Sequence, residues 1–256
     1  MRLGIRTDFV NLPEVARLGF DYVEIPLNAL AALPVSDFEA FVAYVEGSGI
    51  HVGACSDMLP EDLPITGDGV NATALHGYLK HALGRAQRLG AKVVVLDGAK
   101  SRQAPADGDF PFAWRQLGNF LRLLQGHARD CGMTVALEPL RKADCNLLNL
   151  VSEATLIAGL LQLDCIAVCA NFGSMGMASE PMSALRRAAP LLRHVRVENA
   201  LTRALPRPGD GEDYARLLET LRDIGYDGGV TLTGIITESF AEDAQIAVQY
   251  MRDLRV

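Results

Sequence analysis

No stretch of this chain approaches the roughly 18 consecutive apolar residues needed to span a bilayer, and the opening MRLGIRTDF lacks the apolar core of a signal peptide. A cytoplasmic protein with no membrane partner is therefore expected. Positive charge is also short: 24 Lys and Arg face 31 Asp and Glu, for a net charge of -7. Nucleic-acid phosphates or an anionic lipid surface would repel such a chain at long range, which points to a small molecule or another protein as partner. Paired cysteines are missing as well. Cys55, Cys131, Cys145, Cys165 and Cys169 are odd in number and form no CxxC, the pattern of reduced thiols rather than of a disulfide framework. What the chain has in quantity is apolar residues, 49% of 256, enough for a large core in a single domain spanning 1–256.

One local grammar recurs. An amphipathic run ends in glycine, suited to the left-handed turn that closes a helix, and a short β-branched or apolar run follows. Gly19, Gly49, Gly90, Gly132 and Gly225 punctuate the chain in this way. With Leu3 to Arg6, Ile166 to Cys169 and His194 to Val197 added, the reading is eight strands, the others at 22–25, 51–54, 93–96, 134–137 and 229–232. Helices are expected near 11–19, 35–48, 71–89, 112–131, 151–161, 182–188, 214–224 and 239–253. Asn11 with Glu14, Ser36 with Glu39 and Ser239 with Glu242 have capping-box spacing.

Uninterrupted alternation implies parallel strands joined by right-handed crossovers, and VVVL at 93–96 is apolar on both faces, as a helix-covered sheet requires. Eight units in this length fit an α/β fold of the (β/α)8 TIM barrel type, and the GxGxxG of a dinucleotide-binding sheet is absent. The long connections at 55–70, 97–111, 138–150, 171–181 and 198–213 all follow strands, so they gather at the rim where such barrels place their chemistry.

Glu138 directly follows a buried strand and precedes Pro139, an expensive place for a carboxylate unless it is paired or catalytic. Glu24, between Val23 and Ile25, is either a rim ligand or an interior carboxylate held by a neighbouring strand's cation. Asp97 before Gly98 reads as a turn cap. His76 and His81 are five apart, off the spacing of a chelating pair, His51 and His127 read as a strand start and a helix surface, and His194 as a satisfied core histidine. Cys165 and Cys169 are expected to be buried small residues.

GFDYVEIPL, RLGAKVVVLDGAKSRQAP, HVRVENALTRALPRPGDGEDY and, most specifically, CGMTVALEPLRKADCNLLNLVSEA resemble the xylose isomerase-like TIM barrels, the superfamily of sugar-phosphate isomerases and epimerases that includes D-tagatose 3-epimerase-like enzymes and endonuclease IV. The resemblance runs along nearly the whole chain. It implies a divalent metal held by Glu, Asp, His and Glu at the ends of strands five to eight, with the two Glu moving a proton between adjacent sugar carbons. Glu138 matches the first Glu. The sixth-strand motif reads Asn171, Ser174, Met175, the seventh reads His194-Val-Arg196, and the eighth ends at Thr233. Asn146, Glu24, Arg6 and Arg203 match positions around the cavity.

The family set would carry a charge of about -3 and suit a hard divalent cation. Glu138, Asn171, Arg196 and Thr233 sum to zero, and Arg cannot deprotonate to become a ligand. The expectation is no metal cofactor, with the Arg196 guanidinium near the metal position and paired to Glu138. The second Glu is replaced by Thr233, too weak an acid or base for epimerisation, so family-type activity is expected to be absent or very slow. Two functions remain open. One is a barrel that binds a small sugar or sugar acid, or serves as a partner subunit or homodimer. The other is a metal-independent isomerase or lyase with Glu138 as base and Arg196 stabilising an oxyanion. A nuclease would need a basic DNA face that the chain lacks.

Overall fold

Eight short strands form where hydrophobic periodicity places them, and each pairs in parallel with its chain neighbour until the last closes on the first. They are β1 (Arg2–Arg6), β2 (Tyr22–Pro26), β3 (Val52–Ser56), β4 (Val93–Leu96), β5 (Thr134–Leu137), β6 (Ile166–Asn171), β7 (Leu192–Val197) and β8 (Gly229–Leu232). The computed structural model describes residues 1–104 and 109–254; positions 105–108 of the expected connection 97–111 lie outside the described residues. The closed barrel is the (β/α)8 arrangement read from the sequence.

Around it run α1 (Leu12–Leu18), α2 (Leu27–Ala32), α3 (Val35–Ser48), α4 (Ala72–Arg88), α5 (Phe110–Asp130), α6 (Val151–Leu161), α7 (Phe172–Met177), α8 (Ser183–Ala188), α9 (Tyr214–Asp223) and α10 (Phe240–Asp253). Two of these, α2 and α7, are short rim helices that start directly on a strand end and that the periodicity did not reveal, because one and a half turns are too few to show a stripe. Gly19 and Gly49 take φ of 73° and 71° after α1 and α3, the left-handed closure expected of them. Of the three expected capping boxes, Ser239 at the start of α10 accepts from the Glu242 N–H. Asn11 instead donates to Thr7, and Ser36 lies inside α3 because Pro34 takes the cap position. No described helix is long and apolar enough to cross a membrane.

Strand residues alternate between two very different surroundings. Ile5, Val23, Ile25, Val94, Leu96, Val135, Leu137, Val168, Val195, Val197, Val230 and Leu232 face outward into the continuous apolar layer beneath the helices. Val95, Ala136 and Cys169 form a separate small cluster. Cys169 is buried as expected, whereas Cys165 stands half-buried in the turn before β6. The interior of the barrel is otherwise polar, and its floor is the ring of Tyr22. A Cβ on Gly4, Gly53 or Gly229 would collide with that ring, so three strands carry glycine to admit one phenol.

That packing sets a stability test. At Gly53 an added methyl would stand 2.7 Å from Tyr22 Cδ2. Gly53→Ala is expected to cost about 1–3 kcal/mol in urea unfolding, the usual penalty for overpacking. The cost should shrink in a Tyr22→Ala background, and equal costs in both backgrounds would show that the ring is not the obstacle.

Candidate functional site

Inward-facing positions of β2, β5, β6, β7 and β8 converge near the carboxyl end of the barrel, where Asn171, Arg196 and Thr231 share one level of the ladder. The Arg196 guanidinium stands at the centre. Its Nη1 donates to Glu138 Oε2 at 2.5 Å and to Asp97 Oδ2 at 2.9 Å, and its Nη2 donates to Glu24 Oε1. Asn171 Nδ2 donates to the other Glu138 oxygen at 2.8 Å, while its Oδ1 caps α7 by accepting from the Ser174 N–H. Below, Glu24 Oε2 meets His194 Nε2 at 2.7 Å, that nitrogen lies 3.0 Å from Thr231 Oγ1, and Thr231 contacts the Tyr22 hydroxyl at 2.7 Å. A polar column thus runs from the floor to the mouth.

Three carboxylates surround one guanidinium, leaving a formal surplus of negative charge in a buried interior. The groups share this cost unequally. Burial raises Glu24, but Arg196 and His194 outweigh it and hold that carboxylate below its ordinary range. For Glu138 burial dominates, only partly opposed by Arg196, and its pKa is pushed up to about 7. Asp97 is raised in the same way, with Asp57 adding repulsion. Burial alone would lower Arg196, but its carboxylates hold the guanidinium charged.

Backbone supports keep Glu138 in place. Arg102, fully buried, donates through Nη1 to the Leu96 carbonyl at 2.9 Å and through Nη2 to the carbonyl of Glu138, tying the ends of β4 and β5 together. Above the cluster lies a cavity of about 190 Å³ lined by Arg6, Asp57, Asp97, Arg196, Glu198, Arg203, Thr233, Gly234 and Ile235. Arg6 pairs with Asp57 at 2.6 Å, and Arg203 reaches Asp144 only at 3.6 Å. The Arg203 backbone is left-handed, at φ 59°, where a side chain is strained. It is held by its own N–H to the Asn199 carbonyl and by the Ile235 N–H to its carbonyl, and Gly234 has no room for a Cβ against Ala204 and Leu205.

The structure brings Glu24, Glu138, Asn171 and Arg196 into one cluster and sets Arg6, Arg203 and Thr233 on the cavity above it. Asn146 is elsewhere: its amide pairs reciprocally with the backbone of Ala104, clamping two rim loops. The interior alternative for Glu24 holds, although its cation comes from β7 across the barrel rather than from an adjacent strand. Asp97 departs from the reading as a turn cap. Its carboxylate turns inward to Arg196 and also accepts from the Met58 N–H. With Asp97 and Glu24 included, the charges do not cancel as the four aligned positions alone would suggest. Arg102 was missed too, since Ser-Arg-Gln in a loop carries no sign of burial.

A family model described as xylose isomerase-like TIM barrel matches residues 12–254. Among solved structures, 3-keto-D-glucoside 4-epimerase from E. coli superposes with a TM-score of 0.85 at 20% identity, covering 99% of each chain. D-psicose 3-epimerase from Clostridium cellulolyticum H10 gives 0.86 at 19% identity, covering 100% of this chain and 99% of that one. The IOLI protein, solved with a bound zinc atom, gives 0.78 at 17% identity, covering 100% and 98%. No match is found among curated protein sequences.

The cluster makes stability depend on pH in two directions. Glu138 binds its proton more tightly folded than unfolded, so stability falls as pH rises from its ordinary 4.5 through about 7. Glu24 acts oppositely, contributing stability above the ordinary carboxylate range and losing it as pH falls below. The wild type's resistance to urea should therefore fall between about pH 4.5 and about pH 7, and Glu138→Gln should flatten that decline. Parallel profiles for the two proteins would refute the assignment.

Proposed function

From the premise that this chain belongs to the xylose isomerase-like TIM barrel family, we propose that it binds a small sugar-like or sugar-acid ligand at the barrel mouth and has little or none of the family's metal-dependent isomerase activity. The observation that carries this reading is the guanidinium of Arg196 held among Glu138, Asp97 and Glu24. A divalent cation does not fit that donor set. Both Glu138 oxygens already accept, one from Asn171 and one from Arg196, and the fixed positive charge would repel a metal ion at the same point. Asn171 and Thr233 supply no second carboxylate to take up a proton on the far side of a substrate carbon.

Recognition falls to the groups that line the cavity. At about 190 Å³ it is smaller than the roughly 300–1,000 Å³ of drug-sized sites, which suits a compact polar molecule. Arg203 is the cation with least invested in an existing pair, and it stands on a backbone conformation that its loop maintains at a cost. A carboxylate or phosphate on the ligand would engage it in a charge-assisted, two-pronged contact. Five free cysteines fit a reducing, cytoplasmic setting for this binding.

A second reading rests on the pKa of about 7 at Glu138, the value of a base poised for neutral pH. In that reading Glu138 takes a proton from a carbon next to a carbonyl, and Arg196 stabilises the negative charge left on the carbonyl oxygen. The pairing of Glu138 and its absence from the cavity lining favour the binding reading.

Ketohexoses incubated with the protein and manganese should show no turnover near the ordinary enzymatic range of about 1–10³ s⁻¹. Sugar acids should raise the melting temperature, and Arg203→Ala should abolish the rise while unfolding normally without ligand. Rapid epimerisation, or an unchanged ligand shift in Arg203→Ala, would overturn the proposal.

A further inference from the structure

Outside the barrel mouth, two histidines that the chain places 51 residues apart meet on the helix layer. His76 follows Leu75 on α4, and His127 precedes Ala128 on α5; Leu75 and Ala128 are both buried in the core. Each imidazole is therefore carried by a helix whose position is set by packing, and the two rings meet across the seam with centroids 4.6 Å apart and planes at 63°. His127 Nε2 lies 3.2 Å from His76 Nδ1.

That separation has a chemical meaning. Two nitrogens bound tetrahedrally to one ion at about 2.0–2.1 Å stand about 3.3 Å apart. The pair already has this bite, so an ion would replace the proton the nitrogens share, and the donating ring would carry its proton on the other nitrogen instead. No proton need be lost. The surroundings leave room: His76 is exposed and His127 half-buried, so solvent reaches the pair. Asp130 and Lys80, of opposite charge, both act on His127.

We propose that His76 and His127 form a two-nitrogen site for a divalent transition-metal ion of the zinc, nickel or copper class, clasping α4 to α5. Imidazole suits these ions and not magnesium or calcium. Among the described residues no group of three or more His, Cys, Asp and Glu has metal-holding geometry, so water completes the coordination. The site is independent of the cluster inside the barrel. It acts on stability by mass action, because an unfolded chain does not hold the two rings together.

The test is zinc titration of the full, metal-stripped chain by calorimetry, with thermal unfolding in parallel. One zinc should bind per chain and raise the melting temperature. His76→Ala and His127→Ala, both substitutions on the outer layer, should fold in chelator as the wild type does, lose the thermal gain and weaken binding by roughly 10²-fold as two linked contacts become one. Glu138→Gln should bind zinc as the wild type does. Absence of saturable binding, affinity retained within a few fold in either histidine variant, or loss of binding in Glu138→Gln would each overturn the assignment.

Discussion

One cation buried among three acids governs the chemistry of this barrel. Arg196 cannot release its proton, and nothing else in the cluster supplies a permanent positive charge, so Glu24, Asp97 and Glu138 must divide what a single guanidinium provides. Glu24 takes a full ionic contact, strengthened by His194 from below. Glu138 and Asp97 share Nη1 and absorb the remaining imbalance as a raised affinity for protons. Removing the arginine would leave uncompensated buried charge, a change that typically costs about 3–5 kcal/mol, whereas removing one acid relieves repulsion as well as losing a bond.

This arrangement is possible because the two faces of the sheet do different work. The outward face and the helices bury a continuous apolar layer, which supplies most of the driving force for folding. The inward face is thereby free to carry Tyr22, His194, Thr231, Glu24 and Arg196 in a hydrogen-bonded column. Such a column specifies geometry more than it adds stability, since each polar group gains little beyond its lost hydration but costs heavily if left unpaired. Tyr22 closes it off from the lower end, and glycines on β1, β3 and β8 are the concession the backbone makes to that ring.

The barrel was legible because its signals are local and repeated: apolar runs on four or five residues, helix-closing glycines such as Gly19 and Gly49, and connections of unequal length on alternate sides. The pairing of Arg196 with Glu138 was legible only through the family resemblance, which aligns both residues with the ligands of one metal position. Asp97 was misread because Asp-Gly carries a strong turn signal, and nothing within a few residues of it betrays the guanidinium ninety-nine positions away. Arg102 was hidden for a related reason. A loop arginine looks solvated until the two carbonyls it bridges, on separate strands, are brought together. The spacing of His76 and His81 on one helix carries no sign that His76 meets His127 on the next.

A scaffold shared by several sugar epimerases does not by itself determine what this chain does, because function resides in the few side chains at the mouth. Under the proposed reading, those side chains hold a ligand rather than transform it. Epimerisation needs two groups that can each gain or lose a proton on opposite faces of one carbon. The interior offers Glu138, pushed up to about 7, with both of its oxygens engaged, and Asp97, also raised, which is held by Arg196 and the Met58 N–H. At the end of the eighth strand the cavity is lined by Thr233, whose hydroxyl is too weak an acid or base to serve near neutral pH. The mouth, by contrast, keeps Arg6 and Arg203 beside a small cavity, and it maintains Arg203 on a strained backbone with a dedicated glycine opposite. Strain retained at a cationic side chain, above carboxylates already tied up in their own ion pairs, is what makes ligand binding the reading we propose over catalysis.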